Sequence, residues 1–172
     1  HKSIYPEQVW LDGLFMAEPF QTHYAVLTGQ TERFQEVVHQ FITASQLTYD
    51  KRTGLYFHAC DTSRKMEWSD SHTGCSSQIW GRAVGWFAMA FIEVLEELPV
   101  ETDGYETLRN LFVHLMENVV QYQDNTGVWY QIIDSRRAGN YQEASCSCMF
   151  AYALIKGVRC GILPRKFLQA GY

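Results

Sequence analysis

Residues 50–61 read DKRTGLYFHACD and residues 124–134 read DNTGVWYQIID, so one motif occurs twice in the chain. A loop and an apolar helix follow each copy. The two helices, GWFAMAFIEVLEELP at 85–99 and CMFAYALIKGVRCGILP at 148–164, also match each other. Two matches in the same order indicate an internal repeat. Its unit is an outer helix, an Asp/Thr/Gly turn, a long loop, an inner helix and a proline stop.

Apolar residues at helical spacing continue this pattern along the chain. With Gly and Pro as stop signals, they predict five helices, at 7–27, 31–48, 79–98, 103–122 and 143–161. Short strands fit near 55–58 and 128–133, but the alternation of a large sheet is missing. The predicted fold class is therefore all-α, built from helical hairpins.

The composition suits a single domain at residues 1–172. The chain is 47% hydrophobic and carries a formal net charge of -5. This charge argues against nucleic acid as a partner, because proteins that bind it usually carry a basic patch. No apolar run is long enough to span a membrane, and no signal-peptide pattern opens the chain.

The five cysteines form no CxxC pair, and their number is odd. We expect them to be reduced and mostly buried, which predicts a cytosolic protein. Cys146 and Cys148 are two residues apart and would not share a helix face, which disfavours a metal site. The sequence also lacks a metal-type histidine pair, a phosphate-binding loop and a GxSxG motif, so no cofactor is expected.

Stacked hairpins hold their inner helices parallel, so the N-termini of helices 8–27, 79–98 and 143–161 should open at one face. Asp12 lies at this face, inside the apolar stretch VWLDGLFMAEPF. An acid in such a place can act as a general acid or base. The alternative is helix capping or pairing with the helix dipole.

Other polar and aromatic residues are expected at the same face. His58 opens a 20-residue loop at 59–78, and a loop of that length is often functional, although a packed histidine is the alternative. Arg82 lies among Trp, Gly and Ala, where it either pairs with a carboxylate or binds an anionic ligand. Trp80 and Trp86 are either core residues or a platform for a sugar ring. Near Ser145, the segment GNYQEAS fits a plain helix cap equally well.

Four segments resemble the unsaturated glucuronyl and rhamnogalacturonyl hydrolases of glycoside hydrolase families 88 and 105, and they look most like family 105. They are VWLDGLFMAEPF, TGLYFHACD, WGRAVGWFAMAFIEVLEELP and GNYQEASCSCMFAYALIKGVRCGILP. The resemblance implies an (α/α)6 barrel with its active site at the mouth formed by the inner-helix starts. It also implies an unsaturated uronic-acid oligosaccharide as the substrate, as in pectin degradation.

The resemblance assigns roles to individual residues. Asp12 matches the family's catalytic aspartate, which acts as general acid and then general base in hydrating the C4–C5 double bond of the unsaturated sugar. Six residues match substrate-binding positions: His58, Trp80, Arg82, Trp86, Ser145 and Ser147. Among them, the arginine suits the carboxylate of the sugar, and the tryptophans suit its ring.

Members of this family are roughly twice as long, so the chain is expected to be the C-terminal half of an (α/α)6 catalytic domain. A second pocket aspartate would lie in the other half. Bare flanks on helices 8–27 and 143–161 would then favour self-association or an N-terminal half. Two other interpretations stay open. One is a catalytically incomplete sugar-binding or structural fragment, and the other is a sugar epimerase or isomerase on a similar toroid.

Overall fold

Two layers of helices make up the structure, a computed structural model that describes residues 5–172. The inner layer contains α1 (Leu11–Thr28), α3 (Gly81–Glu97) and α5 (Ala144–Arg159), and the outer layer contains α2 (Arg33–Thr48) and α4 (Tyr105–Val119). Helix α3 packs between α1 and α5, while α2 packs on α1 and α4 packs on α3. The predicted stack of helical hairpins is therefore confirmed, with helix ends within a few residues of those expected.

Aromatic side chains fill the space between the two layers. Phe87 of α3 stacks on Phe41 of α2 at 5.8 Å between ring centroids, and Phe91 lies 4.5 Å from Phe87. All three side chains are fully buried. Burial of such large apolar surfaces is the main term that holds the outer helices on the inner ones.

Two glycines let α3 and α5 approach closely. A Cβ on Gly85 would lie 2.7 Å from Sδ of Met149, and a Cβ on Gly81 would lie 2.9 Å from Sγ of Cys146. Neither distance is acceptable for a real side chain, so the cost of glycine in a helix is offset by backbone approach. The inner layer is tight at the end where its helices begin.

Two short antiparallel strand pairs lie beside the helices. Strand β1 (Gln8–Trp10) pairs with β4 (Ala59–Asp61), and β2 (Tyr49–Asp50) pairs with β3 (Leu55–Tyr56). The strand predicted near 55–58 is confirmed. Because residues 8–10 are extended in β1, the first helix begins at Leu11 rather than at residue 7.

The strand predicted near 128–133 is wrong. This segment makes only isolated bridges, in which Ile132 faces Trp80 and Tyr130 faces Gln142. Each partner segment offers a single residue, so no ladder can propagate. The bridges nevertheless fasten the 128–133 turn to the starts of α3 and α5.

One face of α1 is apolar and exposed. Met16, Phe20 and Leu27 are 62%, 73% and 72% exposed. This is the bare flank expected for part of a barrel. The expectation of a second bare flank on α5 is corrected in part, because the C-terminal helix α6 (Leu168–Gly171) folds back and packs against α5.

All five cysteines are free, as predicted. Cys60, Cys75 and Cys146 are buried, Cys160 is partly buried and Cys148 is exposed. Within residues 5–172, no helix has both the length and the apolar character that crossing a membrane requires.

Candidate functional site

The starts of α1 and α3 are each held by a backbone hydrogen bond to a loop. The backbone N–H of Leu11 donates to the carbonyl of His58 at 3.0 Å, and the N–H of Gly81 donates to the carbonyl of Gln131 at 2.7 Å. The two loops thus satisfy N–H groups that a helix start leaves free. The predicted convergence of helix starts and loops is seen for α1 and α3, because His58 contacts both Trp10 and Trp80, the residues immediately before these helices.

A cavity of about 880 Å³ opens at the starts of α1 and α3. Trp10, Asp12, Trp68 and Trp80 are among the residues that line it, together with Glu18 further along α1. The volume is within the range of small-ligand sites, and a mostly apolar wall with a few polar groups is typical of them. His58, Arg82 and Trp86 are not among the lining residues, although His58 contacts Trp10 and Trp80, and Arg82 lies over the ring of Trp80.

Asp12 is half-buried in the wall of the cavity. Its Oδ2 is buried without a hydrogen-bond partner, and no side chain caps α1. Burial raises the pKa of Asp12, while a backbone hydrogen bond at Asp12 itself and the charges of His58 and Arg82 act in the opposite direction. The capping alternative therefore lacks support, whereas pairing with the helix dipole stays open, because Asp12 lies in the first turn of α1. A carboxyl group in a cavity wall can exchange a proton with a ligand.

His58 lies between two indoles. Its ring centroid is 5.8 Å from that of Trp10 and 5.9 Å from that of Trp80. The Nδ1 atom is 2.9 Å from Oγ of Ser76, which fixes the ring orientation. Burial lowers the pKa of His58, and a hydrogen bond to the Gln78 carbonyl and the charge of Asp12 oppose this. The lowered pKa favours the neutral form of the imidazole, which can donate or accept a hydrogen bond near Asp12.

Arg82 places its guanidinium 5.2 Å from the ring centroid of Trp80, within range of a cation–π interaction. Its Nε is buried and has no partner. An unpaired buried donor of this kind is costly unless a ligand or another group accepts from it. Trp86 is half-buried and packs against Phe15 of α1 at 4.6 Å, so the structure places it between the inner helices.

Ser145 and Ser147 take part in the cap of α5. The hydroxyl of Ser145 donates to the Glu143 carboxylate at 2.8 Å. The buried hydroxyl of Ser147 donates to the Glu143 carbonyl and accepts from the N–H of Trp129. Burial opposes ionisation of Glu143, but hydrogen bonds from Cys146 and Ser145 outweigh it and lower its pKa. These contacts favour the capping alternative for both serines.

Glu18 and Trp68 are among the residues of the cavity that the sequence analysis missed. Glu18 is only 7% exposed, and its Oε2 has no partner. Its spacing from Leu11, Leu14 and Thr22 places it on the buried stripe of α1, so the helical period of the sequence could have predicted its burial. Trp68 lies in an irregular loop, where no periodic pattern could have indicated its position.

The profile of glycosyl hydrolase family 88 matches residues 1–171. The chain belongs to this family. The structure of a glycoside hydrolase from family 105 of C. acetobutylicum is 42% identical and superposes with a TM-score of 0.95, over 99% of this chain and 48% of that one. The predicted fold, a part of an (α/α)6 barrel, is thereby confirmed.

Two curated relatives match over most of the chain. Protein Atu3128 of Agrobacterium fabrum is 42% identical over 156 residues, which cover 90% of this chain and 66% of the relative. The unsaturated rhamnogalacturonyl hydrolase YesR of Bacillus subtilis is 28% identical over 96% of this chain and 45% of its own length. The chain thus spans between about half and two-thirds of these family members. Within residues 5–172, no group of three or more His, Cys, Asp or Glu residues is arranged to hold a metal ion.

Proposed function

We propose that this protein is an unsaturated uronyl hydrolase that acts on rhamnogalacturonyl-type oligosaccharides. The observation that carries the proposal is the position of Asp12, which lines the cavity at the start of an inner helix and has one buried oxygen, Oδ2, without a partner. Membership of a glycoside hydrolase family and the name of the Bacillus relative support the same class of reaction. The proposal concerns the protein that carries the complete barrel.

The proposed reaction begins with the enol ether of the unsaturated sugar, in which C4 and C5 share the double bond. In its acid form, which burial favours by raising the pKa of the carboxyl group, Asp12 donates a proton to C4. The positive charge that develops at C5 is shared with the ring oxygen. Asp12, now a carboxylate, removes a proton from a water molecule whose oxygen bonds to C5.

The product of this addition is a hemiketal at C5. It opens as the bond between C5 and the ring oxygen breaks, which leaves a ketone at C5 and a hemiacetal at C1. The hemiacetal then expels the neighbouring sugar as an alcohol and leaves an aldehyde. One carboxyl group can serve both proton transfers, because the ordinary pair of glycosidase carboxylates is needed only for direct displacement at C1.

Arg82 and His58 are proposed to hold the uronate. The guanidinium of Arg82 has an unpaired donor and would bind the sugar carboxylate through a charge-assisted hydrogen bond. Trp80 offers its ring to the sugar, and Trp86 supports this wall by packing on Phe15. Ser145 and Ser147 are left out of this proposal, since their hydroxyls serve the α5 cap.

The decisive experiment is Asp12→Asn, which keeps the shape of the side chain and removes its acid chemistry. We expect loss of at least about 10²-fold in rate, the usual contribution of a general acid or base. The assay follows the fall in ultraviolet absorbance as the C4–C5 double bond is consumed. Asp103→Asn, an exposed aspartate before α4, is the matched control. A folded Asp12→Asn protein with an undiminished rate would remove Asp12 from the mechanism.

A second candidate function is sugar binding without turnover by the 172-residue chain alone. The exposed apolar side chains of α1 favour it, because an enclosed site requires neighbours on that flank. Calorimetric titration of this chain with an unsaturated disaccharide, beside the absorbance assay, separates binding from catalysis.

A further inference from the structure

An aromatic row continues beyond the residues assigned to the uronate. Arg82 lies over Trp80, Trp80 contacts His58, and His58 contacts Trp10. Trp68 then meets Trp10 edge-on, with 5.2 Å between ring centroids. Trp10, Trp68 and Trp80 all line the cavity that Asp12 faces, and each is only partly buried. Trp68 has no part in the reaction described above.

Trp68 belongs to a loop that is tightly organised. The carboxylate of Asp61, which is 1% exposed, accepts hydrogen bonds from the N–H groups of Ser63, Lys65 and Met66 at 2.7 to 3.0 Å. Ser69 then donates to the Met66 carbonyl through both its N–H and its hydroxyl. The turn that carries Trp68 is therefore fixed on both sides, and the indole is held at the cavity.

The side chain of Trp10 is held by a neighbour in its own strand, β1. Its indole N–H donates to Oε1 of Gln8 at 2.9 Å, so its polar edge is satisfied by the protein. The ring is left as an apolar surface beside Trp68. Paired indoles with accessible apolar surfaces suit the apolar C–H face of a pyranose ring.

The order of residues in the aromatic row indicates which of the two sugar rings would lie beside Trp68. The uronate carboxylate is proposed to lie near Arg82, at the Trp80 end. The glycosidic oxygen leaves from C1, across the ring oxygen from the carbon that bears the carboxylate. The next sugar therefore extends away from Arg82, past His58 and toward Trp10 and Trp68.

We propose that Trp68, supported by Trp10, binds the neutral sugar attached to the unsaturated uronate, and so selects the leaving group. This inference rests on the proposed function and adds to it a site for the second ring. The contact is with a sugar that stays intact throughout the reaction. It therefore contributes to binding equally in the ground state and the transition state, and its loss should appear in KM rather than in kcat.

The test compares two substrates on the full-length protein. One is the unsaturated galacturonyl-rhamnose disaccharide, and the other is the methyl glycoside of the same uronate, which lacks the second ring. For Trp68→Ala we expect KM for the disaccharide to rise about tenfold with kcat nearly unchanged, as for the loss of one aromatic contact. The KM for the methyl glycoside should stay the same.

Two further variants control for a general loss of folding or activity. Trp68→Phe keeps an aromatic face and should restore most of the disaccharide affinity. Tyr49→Ala removes a partly exposed aromatic ring on the outer side, beside His114, and should change neither substrate. An equal loss on both substrates, a fall confined to kcat, or no loss at all would overturn the inference. Failure of the unmodified protein to consume either substrate would instead refute the proposed function, and this inference with it.

Discussion

Glu18 provides a test of whether burial of an acid makes the stability of this fold depend on pH. It lies on the buried stripe of α1, its Oε2 has no partner, and Glu36 of α2 adds a like charge nearby. Burial, followed by the charge of Glu36, raises the pKa of Glu18 from 4.5 to about 7. In the unfolded chain, where the acid is hydrated, the value returns to about 4.5.

The direction of the effect on stability follows from linkage. Below pH 4 the carboxyl is protonated in both states, and the raised pKa costs nothing. As the pH rises toward 7, the unfolded chain ionises while the folded protein stays protonated, so stability falls. A pKa difference of 2.5, the gap between 4.5 and about 7, corresponds to up to about 3 kcal/mol, fully developed above pH 7.

The measurement is urea unfolding of the 172-residue chain at pH 4 and pH 8, with and without Glu18→Gln. The variant should gain stability relative to the unmodified chain by up to about 3 kcal/mol more at pH 8 than at pH 4. Comparing the two pH values cancels the cost of burying the glutamine amide. Glu117→Gln, an exposed residue of α4, is the matched control. A difference that is the same at both pH values would refute the reasoning, because it would mean that Glu18 titrates alike in both states.

Three other perturbations follow from the structure. Arg82→Ala should weaken binding of an unsaturated uronate by about 10-fold or more while sparing its uncharged analogue, as calorimetry would show, and equal losses would make the arginine structural. Gly157→Ala should lower unfolding free energy by about 1–3 kcal/mol, because its Cβ would meet Cδ1 of Leu163 at 2.7 Å, and an unchanged denaturation midpoint would contradict this packing. Light scattering should show that the 172-residue chain associates through α1, and Phe20→Ser should reduce this association. A stable monomer as active as the full-length protein would disprove it.

Helices were predictable because their signals are local. The apolar period and Pro99 placed the third helix at 79–98, close to the observed Gly81–Glu97, and the repeat supplied the hairpin layout. The start of α1 was not predictable in the same way. Residues 8–10 are extended because they pair with Ala59–Asp61, about 50 residues away, and no local pattern records that pairing.

The residues of the candidate site were predictable for the same reason, where a local signal marked them. Asp12, His58 and Trp80 were located from helix starts and motif resemblance, and the structure brings them together. Trp68 reaches them only through the turns built around Asp61, which depend on the folded loop rather than on spacing. The catalytic and binding roles, and the assignment to the C-terminal half of the domain, stay predictions.

The loop that presents Trp68 begins and ends at one place. The N–H of Ser76 donates to the Ala59 carbonyl, and the N–H of Asp61 donates to the Gly74 carbonyl. Its two ends are thus held together by backbone hydrogen bonds. Each doubling of the length of the loop 62–73 would therefore add only about 0.6 kcal/mol of loop-closure entropy, and the helices would not be disturbed. The barrel wall and its rim can therefore diverge separately. Exchange of residues 62–73 alone would replace Trp68, while the helix starts that carry Asp12 and Trp80 keep their sequence.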